Sequence, residues 1–202
     1  MLRRFVDRLL EHETVYRLWQ GPFVEGKLDA VRAHTDLGRV RRVLDVGCGP
    51  GSNTPHFHHA DYTGLDVNPR YTAWAAARYG PHFVTADAVS FVPRAGARFD
   101  CILVNSFLHH VDTDGVSRIL RRLAGLLDAD GHVHVIDLVL PERSGLPRLM
   151  ARLDRGRFPR PLAAWRALFA EAFEPVVVEP FPLGIGGVTL WELVYLKGRP
   201  RT

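Results

Sequence analysis

Apolar residues at Leu2, Phe5, Val6, Leu9 and Leu10 recur at helical spacing, and the pattern resumes at Val15, Leu18 and Trp19 before Gly21 and Pro22 end it. A second helix is expected over residues 23 to 34. Beyond it, short β-rich runs alternate with helical segments: VRRVLDVG, YTGLDV, HFVTAD, FDCILVN, GHVHVIDLVL, EPVVVEPF and TLWELVYLKG. These runs are apolar nearly throughout instead of alternating, as a parallel sheet covered by helices on both faces requires. The expected fold is α/β, a doubly wound, mostly parallel seven-stranded sheet. The expected organisation is a helical cap or lid over residues 1–38 and the sheet domain over residues 39–202, one structural domain overall.

The first run ends in VLDVGCGPGSN, where Gly47, Gly49 and Gly51 mark a backbone that must turn tightly or be approached closely. In an open α/β sheet such a loop lies at the carboxyl edge of the strands, where ligands bind. A dinucleotide fingerprint fits poorly, because Ser52 stands where the third glycine belongs when counting from Gly47, and Thr54 when counting from Gly49. A phosphate-binding P-loop fails outright, since no lysine lies between Lys27 and Lys197.

What remains is Asp45-Val46-Gly47-Cys48-Gly49-Pro50-Gly51 followed by Asp66, which ends the next strand in YTGLDVNP. This order resembles the class I S-adenosylmethionine-dependent methyltransferases, a Rossmann-like family. The likeness continues through Asp87 in VTADAV, the NSFLHHV segment and LLDADGHVHVIDLV. It covers residues 40 to 140 closely and the final pair of strands more loosely. The resemblance implies S-adenosyl-L-methionine as cofactor and S-adenosyl-L-homocysteine as product. It implies that Gly47, Cys48, Gly49, Gly51 and Asn53 line the bend, and that Asp66, followed by Val67, accepts hydrogen bonds from the ribose hydroxyls. Asp87 and Ala88 should meet the adenine, with Asp45 and Asn105 near the methionine end. For Asp87 and Asn105, capping a turn and satisfying the backbone are the competing roles.

Methyl transfer needs alignment and water exclusion, and a base only when the acceptor carries a proton. His109 and His110, just past the fourth strand, stand at the rim where a methyl group should point, either as general base or as wall of the pocket. His56, His58 and His59 are expected on a helix after the glycine loop, and His132 and His134 on one strand face. No carboxylate or thiol completes a metal set with them at recognisable spacing, so no metal is expected. Tyr16 and Trp19, with Phe23, are candidates for a lid over the substrate. Arg148, Arg152, Arg155, Arg157 and Arg160 face only Asp154 in charge and form either an anion grip or a solvated face.

Composition narrows the classes further. With 202 residues, 47% apolar and 24% charged, the chain is an ordinary globular domain. Asp7, Arg8 and Glu11 interrupt what an export signal would need as a continuous apolar segment, and no run approaches a membrane span, so a cytoplasmic location is expected. Cys48 and Cys101 fall in or beside buried strands and are expected as free thiols. A formal charge of +4 does not by itself indicate nucleic acid. The preferred reading is an enzyme transferring a methyl group to oxygen, nitrogen or carbon of a small-molecule acceptor, an anionic one being open. An RNA or protein acceptor, or a protein that binds the cofactor without transfer, are the alternatives. The sequence leaves the oligomeric state open.

Overall fold

The computed structural model describes residues 23, 25–154 and 156–201. Helix α1 (residues 25–32) leads into the sheet. The strands are β1 (Arg42–Val46), β2 (Asp61–Asp66), β3 (Phe83–Thr85), β4 (Phe99–Asn105), β5 (Leu127–Val139), β6 (Phe173–Ile185) and β7 (Val188–Pro200). The remaining helices are α2 (Pro69–Tyr79), α3 (Thr113–Ala124), α4 (Leu146–Leu153) and α5 (Leu162–Ala172). The strand order is β3-β2-β1-β4-β5-β7-β6. Pairings from β3 through β5 are parallel, while β7 runs antiparallel to both β5 and β6. The expected doubly wound, mostly parallel sheet is therefore present, with its chain reversal confined to one end.

Alternation along the central strands explains the two covered faces. Leu44 and Val46 of β1, Ile102 and Val104 of β4 and Val133 and Val135 of β5 pack into one core with α3 and α5. Val43, Cys101, Leu103, Ile136 and Leu138 point the other way, into a core with Leu28 and Val31 of α1 and Ala151 of α4. Helix α3 meets its face through Val116, Ile119, Leu120 and Leu123, the spacing of one helical stripe, and Asp112 caps its first turn by accepting from the Gly115 N–H at 2.8 Å. Prolines 175, 180 and 182 are tolerated in β6 because it is an edge strand, where N–H groups facing solvent need no partner. The β6–β7 hairpin turns at Gly186 and Gly187, with φ of 59° and 79°, which two consecutive side-chain-bearing residues adopt at a cost.

Two local expectations change. The second helix is shorter than 23 to 34, and the segment after the glycine loop is a single 3-10 turn, Thr54–Phe57, instead of a helix. Pro55 sets that first turn, and buried Phe57 draws the chain straight back towards β2. Both cysteines are buried free thiols. Among the described residues no helix is long and apolar enough to cross a membrane.

Helix α5 is tied to the end of β5 by Trp165, which is fully buried and donates its indole N–H to the Leu138 carbonyl at 2.9 Å. The Arg160 guanidinium covers its ring at 5.1 Å. Trp165→Phe removes that donor and part of the packing, and should cost about 1–3 kcal/mol. Thermal unfolding should show a melting temperature lower by at least about 2 °C; an unchanged value would mean that the indole does not anchor α5.

Candidate functional site

At the carboxyl edge of β1 the chain reverses through Gly47, Gly49 and Gly51, whose φ values are 71°, 53° and 83°. Two of these positions also leave no room for a side chain. A Cβ on Gly47 would stand 2.5 Å from the Phe107 ring, and one on Gly51 would stand 3.0 Å from the Tyr79 ring. Every amide of the bend is used internally. The N–H groups of Gly47 and Cys48 donate to the Leu65 carbonyl at 2.7 and 3.1 Å, that of Gly51 to the Cys48 carbonyl at 3.1 Å, and that of Gly49 to Asp66 Oδ2 at 2.9 Å. Pro50 has none. A phosphate loop presents outward N–H groups; this bend presents none.

Asp66 closes β2 beside the bend. Its Oδ1 accepts from the Asn68 N–H at 2.8 Å, so one carboxylate joins the loop after β1 to the loop after β2. Burial raises its pKa, partly offset by these backbone donors. An ionised carboxylate has about four acceptor positions, so capacity for hydroxyl donors remains beyond the Gly49, Asn68 and Val67 amides. Val67 next to it is exposed.

Beneath the bend lies a buried polar chain. Asp45, with no exposed surface, accepts from the Tyr62 hydroxyl at 2.6 Å and from the Asn53 amide at 3.1 and 3.3 Å. Asn105 then donates to Asn53 Oδ1 at 3.3 Å. Asp45, Asn53 and Asn105 are thus brought together, with Asp45 acting through Asn53 instead of lying at a surface. Asp87, exposed, accepts from the Val89 N–H at 2.7 Å, the turn-capping role, with Ala88 buried beside it. Cys48 is buried, with its thiol donating to the Gly49 carbonyl.

The other half of the edge is organised by Asp137 near the end of β5. It accepts from the Leu108 N–H at 2.8 Å, from its neighbour Leu138 N–H at 2.7 Å and from His109 Nδ1 at 2.6 Å. The second ring nitrogen of His109 meets Asp154 Oδ1 at 3.2 Å. Burial works against an imidazolium there, but the two carboxylates outweigh it and raise the His109 pKa to about 9. Asp154, although burial opposes it, is lowered to about 2 by His109. His109 therefore holds its proton at neutral pH and is not poised as a general base. His110, exposed, lies tilted against the His109 ring with 4.3 Å between ring centroids.

Other candidates separate from the site. His56 packs with Arg32 and Glu25, His59 bonds the Leu37 carbonyl, and His134 is buried against the Tyr195 hydroxyl at 2.9 Å. Arg160 is buried and spends its guanidinium on the Leu108, Phe158 and Val111 carbonyls, a structural clasp instead of an anion grip. Phe23 packs edge-on against Trp191 at 5.3 Å. Tyr16, Trp19 and Arg155 lie outside the described residues. Sequence reasoning passed over three residues of the site. Lys27, whose ammonium is buried and lies within Coulombic reach of Asp137 and Asp154, has a pKa lowered to about 8 by that burial; its signal was being one of only two lysines in the chain. Asp137 was a charge inside the apolar run VHVIDLVL. Ser106 holds a φ of 60° directly after β4, a conformation with no sequence signal.

Asp45 supplies a pH test. Burial raises its pKa from 3.8 to about 6. Between those values the folded chain keeps a proton that the unfolded chain releases, so this group makes stability fall as pH rises through the window. Asp45→Asn cannot ionise. As pH is lowered from 7 towards 4, wild type should gain on this variant by about 5 °C or more in melting temperature, given about 1.4 kcal/mol per pKa unit. A difference that stays constant with pH would remove Asp45 as a perturbed group.

Comparison with known proteins finds methyltransferases among the chains that this one resembles. Residues 43–131 match the family model described as methyltransferase domain. A malonyl-acyl-carrier-protein O-methyltransferase of Enterobacter lignolyticus is 33% identical over 100 residues, covering 47% of this chain and 39% of that protein. A trans-aconitate 2-methyltransferase of Delftia acidovorans is 29% identical over 181 residues, covering 81% and 65%. The chain thus spans less than two thirds of the length of these relatives. The structure of the N-methyltransferase NodS from Bradyrhizobium japonicum WM9, in complex with S-adenosyl-L-homocysteine, superposes with a TM-score of 0.74 at 21% identity, covering 98% of each chain. The resemblance read from the ordered motifs agrees with both comparisons: residues 43–131 match a methyltransferase-domain model, and the chain shares the fold of the NodS methyltransferase.

Proposed function

We propose that the chain transfers a methyl group from S-adenosyl-L-methionine to a small anionic acceptor, with a carboxylate oxygen as the accepting atom. The observation that carries the cofactor reading is the inward use of every amide in the Gly47–Gly51 bend. A loop so arranged offers no N–H donor to a ligand, which a pyrophosphate would need and an ammonium group would not. Asp66, with acceptor positions to spare, suits the two ribose hydroxyls. Asn53 and Asn105, linked over Asp45, would hold the amino-acid end, and Asp87 with Ala88 the adenine. When bound, the cofactor supplies an electrophilic methyl group on a cationic sulfur.

The acceptor reading rests on the Asp137 side. Lys27 and His109 carry positive charge there, Arg160 is spent on backbone carbonyls, and Asp137, Asp154 and Asp112 balance the three cations, so the reading is carried by the protonation of His109. A carboxylate acceptor is already deprotonated at neutral pH and needs no base, which agrees with a His109 that keeps its proton. Relatives named for trans-aconitate, a tricarboxylate, support the same class. The role left to His109 and Asp137 is to fix the floor of the pocket so that the acceptor lies in line with the methyl group.

Methyl-labelled S-adenosyl-L-methionine, incubated with the purified protein and a size-fractionated cell extract, should label small metabolites, and mild base should release the label, as methyl esters require. Base-stable label, label in RNA or protein only, or no label would each overturn the acceptor assignment. Cofactor binding is tested separately. Asp66→Ala should weaken S-adenosyl-L-homocysteine binding by at least about tenfold in calorimetry, since hydrogen bonds to a charged group contribute about 1.5–3 kcal/mol each. Unchanged affinity would take Asp66 out of the site.

A further inference from the structure

Between the end of β4 and the chain that follows α4, His109, His110 and Asp154 each offer a ligand atom, and these atoms all lie within 4.8 Å of one another. We propose that they form a binding site for a divalent transition-metal ion, a use of the chain that goes beyond the methyltransferase reading. Two imidazoles and one carboxylate are the donor set of open, three-ligand metal sites, which keep a position for water or substrate. Metal–ligand bonds of about 2.0–2.2 Å require the three groups to draw inward. His110 is exposed and is the group that turns inward, while the buried His109 and the Asp154 carboxylate, held by the Gly156 amide, supply the fixed points.

A second, independent feature is the partner on the far side of that fixed ring. Asp137, fully buried, accepts from His109 Nδ1 at 2.6 Å and is itself held by the Leu108 and Leu138 amides. A carboxylate on the distal nitrogen orients a ligating imidazole, sets its tautomer and raises its basicity, and this is the arrangement metal-bound histidines adopt. Here it leaves Nε2 as the atom turned towards Asp154. The Asp154 loop is pinned against the same ring: the Phe158 N–H donates to the His109 carbonyl at 2.9 Å, the Gly156 N–H donates to Asp154 Oδ1 at 2.7 Å, and a Cβ on Gly156 would stand 2.1 Å from His109 Cδ2. Glycine at 156 is thus what lets the carboxylate reach Nε2. In the metal-loaded site the ion takes the Nε2 lone pair and the proton there leaves to solvent. Asp137 and Asp154 supply the negative charge that a divalent ion needs beside the Lys27 ammonium.

The probe is Co²⁺, whose visible d–d absorption reports coordination. Tag-free, chelator-dialysed protein should bind one equivalent with a visible band, and Zn²⁺ should abolish it by competition. Proton NMR of the Co²⁺ form should show paramagnetically shifted signals from two histidine rings. His110→Ala and Asp154→Asn should each weaken Co²⁺ binding by at least about tenfold. Binding of S-adenosyl-L-homocysteine by the same samples certifies that the variants are folded, and should a variant fail to fold, the two-histidine signature of the wild type decides alone. No band at millimolar Co²⁺, signals from other histidines only, or folded variants that bind like wild type would overturn the site and leave the cluster as an ion-pair latch. None of these readouts depends on methyl transfer, so a failure here and a failure of the proposed activity are distinguishable.

Discussion

The carboxylate of Asp66 holds the site together. One oxygen fixes the Gly49 amide and the other the Asn68 amide, so the loops leaving β1 and β2 share a single anchor. The bend in between accepts that anchor only because its backbone adopts three positive φ values and because nothing larger than hydrogen fits against Phe107 and Tyr79. Local strain and ligand chemistry are thus set by one arrangement. With its donors consumed inside, the bend offers no amide to an anionic group, and that narrows what it can hold.

Asp137 performs the matching task on the other side of the edge. It gathers the amides of Leu108 and Leu138 and the His109 ring, and through His109 it reaches Asp154 in the segment between α4 and α5. Arg160 reinforces the same junction by bonding the carbonyls of Leu108 and Val111 while stacking on Trp165. Breaking one partner of a buried charge pair leaves the other uncompensated, so this network resists piecemeal change. The rim is accordingly rigid at His109 and Asp154, with exposed His110 the group most open to solvent.

How much of this was readable in the sequence depends on whether the signal was local. The glycines announced themselves, because positive φ leaves few other residues, and Asp66 followed from its place at a strand end. The seven strands were visible as apolar runs, since central strands covered on both faces carry little else. The helix expected around His56 and His58 was not formed, because Pro55 and the burial of Phe57 favour one tight turn and an immediate return to the sheet. Arg160 looked like one member of a basic run, and its carbonyl partners, about fifty positions back along the chain, carry no motif. The pairing of His109 with Asp137 and Asp154 is likewise long-range. A histidine beside a strand end reads as a base until the carboxylates on both of its nitrogens are seen.

That distinction decides the chemistry. A histidine between two carboxylates surrenders the Nε2 lone pair to whatever cation sits there, a proton or a metal ion, and in neither state can it remove a proton from an acceptor. An acceptor that arrives deprotonated avoids the need. On the reading proposed above, the half of the edge built on β1 and β2 would take the cofactor, and the half built on β4, β5 and the segment before α5 would take the acceptor. On that reading the two reactants would meet at the line where β1 pairs with β4, between the glycine bend and the protonated His109.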